Sequence, residues 1–135
     1  MEENERYSRQ TMLRQLGPEG QRRLMEARVL IVGVGGLGSA VATYLAGAGV
    51  GYIGLADHDV VSISNLQRQT LYSEAQTGMP KAIAAAGRLA AINSEIRLEP
   101  LCEGFTEANA PGLTDRFDLV MDCCDNFATR YLIDD

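Results

Sequence analysis

Short, continuous apolar runs alternate along this chain with longer stretches of helical period. Glu5 to Leu16 places Met12, Leu13 and Leu16 at helical spacing before Gly17, and a second helix is expected from about Pro18 to Ala27 with its proline in the first turn. The period then changes. Val29 to Val32 is apolar at every position, as expected of a central parallel strand buried on both faces. Gly33, Gly35, Gly36 and Gly38 follow, leading into a small-residue helix, Ser39 to Ala48, that Gly49 can terminate. Tyr52 to Ala56 is expected to be a second strand ending at Asp57 and Asp59.

The chain is polar from Ser62 to Gln69, a segment expected to be a site loop, and Ser73 with Gln76 can form a capping box on a short helical turn. Pro80 and Lys81 open an alanine-rich helix reaching about Asn93. Ile96 to Cys102 is expected to be a strand, and Pro100, which cannot donate to a ladder, assigns it to an edge. Thr106 is placed to cap a short helix before Leu113, Leu119 to Met121 is expected to be a third buried strand ending at Asp122, and Asn126 can cap a last helix containing Thr129 and Arg130. The fold class is α/β: a Rossmann-like, mainly parallel sheet with helices on both faces, preceded by N-terminal helices. Residues 1–27 are expected to be an N-terminal helical segment and 28–135 a nucleotide-binding domain, truncated on its C-terminal side because the last helix is cut at Asp135.

Composition narrows the function classes. With 46% hydrophobic residues among 135, the chain can bury a core, and no apolar run approaches the roughly 20 residues of a membrane span. The N-terminus has no apolar signal core, so a cytoplasmic protein is expected. A net charge of -6 disfavours general nucleic-acid binding. Lys81 is the only lysine beside eleven arginines, and His58 the only histidine. One histidine and three cysteines without CxxC spacing (Cys102, Cys123 and Cys124) fill no zinc site, so the cysteines are expected to be reduced, partly buried thiols.

Gly33-Val34-Gly35-Gly36-Leu37-Gly38 has GxGxxG spacing after a strand and at the opening of a helix, where glycine backbone and helix amides can approach a phosphate. Asp57, 19 residues beyond Gly38 at the end of the next strand, is placed to accept hydrogen bonds from ribose hydroxyls. This pattern does not name the nucleotide. NAD needs little beyond it, whereas a nucleoside triphosphate needs cations and a metal-holding carboxylate. Arg68 in the polar loop, Lys81 at a helix start and Asp125 after the third strand offer that set, with Asp122 as strand-end support.

In order along the chain, Tyr7-Ser8-Arg9-Gln10, the Gly33 to Gly38 turn, Asp57, Ser64-Asn65-Leu66-Gln67-Arg68-Gln69, Pro80-Lys81, and Asp122-Cys123-Cys124-Asp125-Asn126 with Thr129-Arg130 resemble the motifs of the ThiF/MoeB/HesA family, which is related to ubiquitin-activating enzymes. The resemblance implies that Asp57 binds ribose, Arg68 and Lys81 contact the phosphates of ATP, Asp125 holds magnesium, and Arg9 reaches the phosphates of the neighbouring subunit in a homodimer. Asn65 and Gln69 are candidates to touch the nucleotide, or to serve only a turn and the backbone. The implied reaction is adenylylation of the C-terminal glycine carboxylate of a ubiquitin-like sulfur carrier ending in Gly-Gly, in thiamine or molybdopterin synthesis. Longer relatives carry further strands, zinc-binding CxxC pairs and sometimes a catalytic cysteine. Zinc is therefore expected only in a longer form, and Cys124 stands where the family commonly has threonine. The alternatives are a HesA-type enzyme acting on modified tRNA, a non-catalytic partner fragment, and an NAD-dependent oxidoreductase domain.

Overall fold

A computed structural model of the chain describes residues 17–62 and 72–123. Among them, helix α1 (Gly17–Glu26) precedes β1 (Arg28–Val32), α2 (Gly36–Ala48) and β2 (Tyr52–Ala56). A 3-10 turn (Glu74–Gln76), α3 (Lys81–Ile92), β3 (Arg97–Leu101), α4 (Ala110–Arg116) and β4 (Leu119–Asp122) follow. The strands form one parallel sheet in the order β3-β2-β1-β4, with Arg28 opposite Tyr52, Val29 opposite Leu119 and Tyr52 opposite Arg97. The chain thus leaves β1 toward one side, returns, and resumes at β4 on the other. This change of direction at β1 is where open α/β sheets form their ligand crevice.

The apolar run of β1 divides between two layers because successive side chains point to opposite faces. Val29 and Ile31, with Ile53 and Leu55 of β2, pack against Ala42 and Ala46 of α2 and Ala84, Ala85 and Leu89 of α3. Leu30 and Val32 pack on the other face with Phe105, Leu113 of α4 and Phe117. Gly54 lies on this second face because the Phe117 ring leaves no room: a Cβ there would stand 2.5 Å from Phe117 Cζ. Asn93, fully buried, donates from Nδ2 to the Ala46 carbonyl at 2.9 Å and links the ends of α2 and α3. Helices therefore cover both faces, as expected, and none of the described helices is long and apolar enough to cross a membrane.

At the amino end of the sheet, Tyr52 donates to Glu99, and Arg116 donates to both the Tyr52 oxygen and Glu99. Arg97 lies over the Tyr52 ring, 4.6 Å from its centroid. The Tyr52 hydroxyl above all, and then Arg116, hold the Glu99 carboxyl below the ordinary glutamate range, against an opposing effect of burial.

Several boundaries differ from expectation. Helix α2 starts at Gly36 rather than Ser39, so the last glycine of the turn is already helical. The helix expected before Leu113 instead contains it. Thr106 and Asn109 bond each other reciprocally, Asn109 Oδ1 accepting from Thr106 N–H at 2.8 Å, and this turn delays the helix to Ala110. Strand β4 is not buried as expected: Leu119 is 53% exposed, since β4 pairs only with β1 among the described residues. Among the described residues strand β3 pairs only with β2, which agrees with the edge position assigned from Pro100. Ser73 N–H donates to Gln76 Oε1 at 2.9 Å across the 3-10 turn, as the capping box predicts. The helix expected over residues 5–16, all of the polar loop after Ser62 (63–69) and the helix expected after Asn126 lie outside the described residues.

Candidate functional site

The carboxyl ends of β1, β2 and β4 and the starts of α2 and α3 lie at one edge of the sheet, because helices between parallel strands run back against them. Gly33 leaves β1 with φ +90°, a left-handed conformation that disfavours any side chain, while its N–H donates to the Ala56 carbonyl at 2.8 Å. Gly38 permits the close approach of α2 to this turn: a Cβ there would stand 1.7 Å from the Gly33 carbonyl oxygen and 3.4 Å from Cys123 Cβ. Gly35, which precedes α2, has no side chain to cap it, so the N-cap itself leaves the amides of the first turn, at the positive end of the helix, open to another acceptor.

Asp57 is half-buried, and both carboxylate oxygens are engaged. Oδ2 accepts from Val34 N–H at 2.9 Å, and Oδ1 accepts from Asp59 N–H at 2.8 Å. Each oxygen keeps acceptor capacity for a hydroxyl. Lys81 is the first residue of α3 and only 5% exposed. Its N–H donates to the Asp59 carbonyl at 2.9 Å, while its ammonium has no hydrogen-bond or ion-pair partner among the described residues. A cation at this edge of the sheet fits a site that takes an anionic ligand. An antiparallel bridge between Val60 and Pro80, with Val61 N–H donating to the Met79 carbonyl at 2.9 Å, clamps the stem that carries the lysine.

The structure therefore brings together Gly33, Gly35, Gly36, Gly38, Asp57 and Lys81. Arg9, Asn65, Arg68, Gln69 and Asp125 lie outside the described residues, as does Cys124. Asp122, half-buried at the end of β4, faces Val32 in the register. Cys123 is buried beside the glycine turn, and burial pushes its thiol above the ordinary value, so it is not poised as a nucleophile. His58 is exposed, 3.5 Å from Asp59. Sequence reasoning missed Tyr72, which is 6% exposed and donates its hydroxyl to the Val34 carbonyl at 2.6 Å; a lone aromatic after a polar loop gives no signal of that contact.

A family model described as the ThiF family matches residues 7–135. The chain is 52% identical over 130 residues to the adenylyltransferase and sulfurtransferase MOCS3 of Sus scrofa, covering 96% of this chain and 29% of that protein. It is 49% identical over 134 residues to a sulfur carrier protein adenylyltransferase of Thermus thermophilus, covering 99% of this chain and 49% of that one. Among solved structures, the E. coli tRNA N6-threonylcarbamoyladenosine dehydratase TcdA in complex with ATP matches with a TM-score of 0.83 and 31% identity, over 91% of this chain and 50% of that chain. The chain spans half or less of the length of each of these proteins.

Proposed function

The chain belongs to the ThiF family, and on that premise we propose that it carries the nucleotide site of an ATP-dependent adenylyltransferase acting on a ubiquitin-like sulfur-carrier protein. The observation that carries this reading is the meeting of the glycine turn, Asp57 and the buried Lys81 at one edge of the sheet, the lysine tied through Asp59 to the same loop as Asp57. A triphosphate gives this cation an anion. An NAD site leaves it unexplained.

In the proposed reaction, a carboxylate oxygen of the carrier's C-terminal glycine attacks the α-phosphorus of ATP. The bond from that phosphorus to the β-phosphate bridging oxygen breaks, giving an acyl-adenylate and pyrophosphate. No general base is needed, since the attacking carboxylate is already ionised near neutral pH. The obstacle is the meeting of two anions, which fixed cations relieve. Asp57 holds the ribose, the glycine turn and α2 amides receive phosphate oxygens, and Lys81 neutralises phosphate charge as a compact point cation. From the motif resemblance alone, Arg68 joins Lys81, Asn65 and Gln69 touch the nucleotide, Asp125 holds magnesium, and Arg9 acts from the second subunit of a homodimer. Magnesium would supply charge neutralisation on the phosphates and the leaving pyrophosphate.

Residues 1–27 act in this proposal as an N-terminal helical segment and 28–135 as the ATP-binding domain, in a cytoplasmic protein of thiamine or molybdopterin synthesis. The likeness to the E. coli tRNA dehydratase favours a second reading, activation of a modified tRNA; the higher identities to proteins named for sulfur transfer favour the first. The test is ATP–pyrophosphate exchange with carriers ending in Gly-Gly in one arm and modified tRNA in another. Carrier-dependent exchange, abolished by Lys81→Ala, is expected. Exchange that ignores the carrier, or tight NAD binding indifferent to Lys81→Ala, overturns the reading.

A further inference from the structure

Val34, between the first two glycines of the turn, is held through both of its backbone polar groups. Its N–H donates to Asp57, and its carbonyl accepts from both Ser39 Oγ at 3.0 Å and the Tyr72 hydroxyl at 2.6 Å. The Tyr72 oxygen lies 3.5 Å from the Lys81 carbonyl oxygen, a packing contact rather than a second hydrogen bond, because its one proton goes to Val34. With Lys81 N–H on the Asp59 carbonyl and Asp59 N–H on Asp57, an unbroken series of hydrogen bonds runs from Lys81 through Asp59, Asp57 and Val34 to Tyr72, whose oxygen ends against the Lys81 carbonyl. The series joins the glycine turn, the aspartate and the lysine, three elements far apart in sequence. Tyr72 is its one link made by a neutral side chain.

We propose that Tyr72 is a positioning residue of the nucleotide site, its hydroxyl setting the glycine turn and Asp57 in register with the start of α3 that carries Lys81. The proposal rests on the nucleotide reading above. Burial, and next the negative charge of Asp57, push the phenol well above its ordinary value, against a smaller opposing effect of Ser39, so the hydroxyl remains a donor at neutral pH. Tyr72→Phe keeps the ring packed and removes only the donor. The Val34 carbonyl then retains Ser39 alone, and the turn loses the hydrogen bond that holds it to the segment leading into α3.

The test is calorimetric titration of Mg-ATP into the parent, Tyr72→Phe, Lys81→Met and the double variant, below their melting midpoints, with thermal unfolding recorded for each. Tyr72→Phe is expected to raise Kd about 5- to 10-fold, the loss of one buried hydrogen bond expressed at the site. Because both residues act on one site, the factor should shrink by at least half when Lys81→Met is already present. A parent that fails to bind Mg-ATP overturns the nucleotide reading itself. A parent that binds, with Tyr72→Phe binding equally well, overturns only the positioning role. A full, additive loss in the Lys81→Met background also overturns it, since general loosening of the fold would act that way.

Discussion

Gly38 and Gly87 both lie in helices, yet alanine should have opposite effects at the two positions. At Gly38 a Cβ would stand 1.7 Å from the Gly33 carbonyl oxygen and 2.8 Å from its carbon. Both are backbone atoms and cannot rotate away. To reach even 3.0 Å, α2 and the turn must separate by about 1.3 Å, the difference between 1.7 and 3.0 Å. Overpacking costs about 1–3 kcal/mol, and backbone-on-backbone contact puts Gly38→Ala at the upper end. The same shift moves the α2 amides off the phosphates, so Mg-ATP affinity should fall at least tenfold, or ~1.4 kcal/mol. Gly87 is exposed in the middle of α3, and nothing lies within 4 Å of a Cβ built there. Gly87→Ala should therefore stabilise by about 0.5–1 kcal/mol, a rise of a few degrees in melting midpoint, without changing nucleotide affinity. Differential scanning calorimetry with and without Mg-ATP reads both quantities. A Gly38→Ala protein with the parent's midpoint and affinity would refute the close approach of turn and helix.

Lys81→Met should stabilise the nucleotide-free protein by roughly 1–2 kcal/mol, and so raise its melting midpoint, while weakening Mg-ATP binding, because an apolar side chain of similar length suits a buried position better than an ammonium does. A lower midpoint in nucleotide-free Lys81→Met would contradict this assignment, and a shift assay with and without ATP decides it. Glu99, held below its ordinary value of 4.5 by Tyr52 and Arg116, should contribute stability in full above that value and lose it as pH falls through the lower, folded value. Urea midpoints measured from about pH 6 to about pH 3 should thus fall less steeply in Glu99→Gln than in the parent; parallel curves would mean that the cluster adds no linkage.

The β1–turn–α2–β2 unit was legible because each signal is local: an unbroken apolar run, glycines at fixed spacing, and a carboxylate at the next strand end. Pro100 marked an edge for the same reason, since a missing N–H is a property of one residue. The start of α2 was misjudged because Gly36 and Gly38 look like loop residues until the contact with Gly33 requires glycine inside the helix. The extent of β4 burial depends on what lies beside it, which its apolar residues do not encode. Asp57 and Lys81 were found as candidates, but not the Asp59 link between them. Tyr72 went unnoticed because its partner, Val34, is 38 residues away.

Those long separations bear on the order in which the molecule assembles. The Val34 to Asp57 bond closes a loop of 23 residues and the Tyr72 to Val34 bond one of 38, so neither can form within an isolated helix or hairpin. The binding elements align only once β1, α2 and β2 have docked and the chain has returned through the Val60–Pro80 bridge to start α3. A collapsed intermediate with native helices but without these long-range bonds has no ordered place for a triphosphate. On the proposed reading, nucleotide therefore distinguishes the finished chain from a merely compact one, and it should protect by slowing escape from the native state rather than by hastening arrival there.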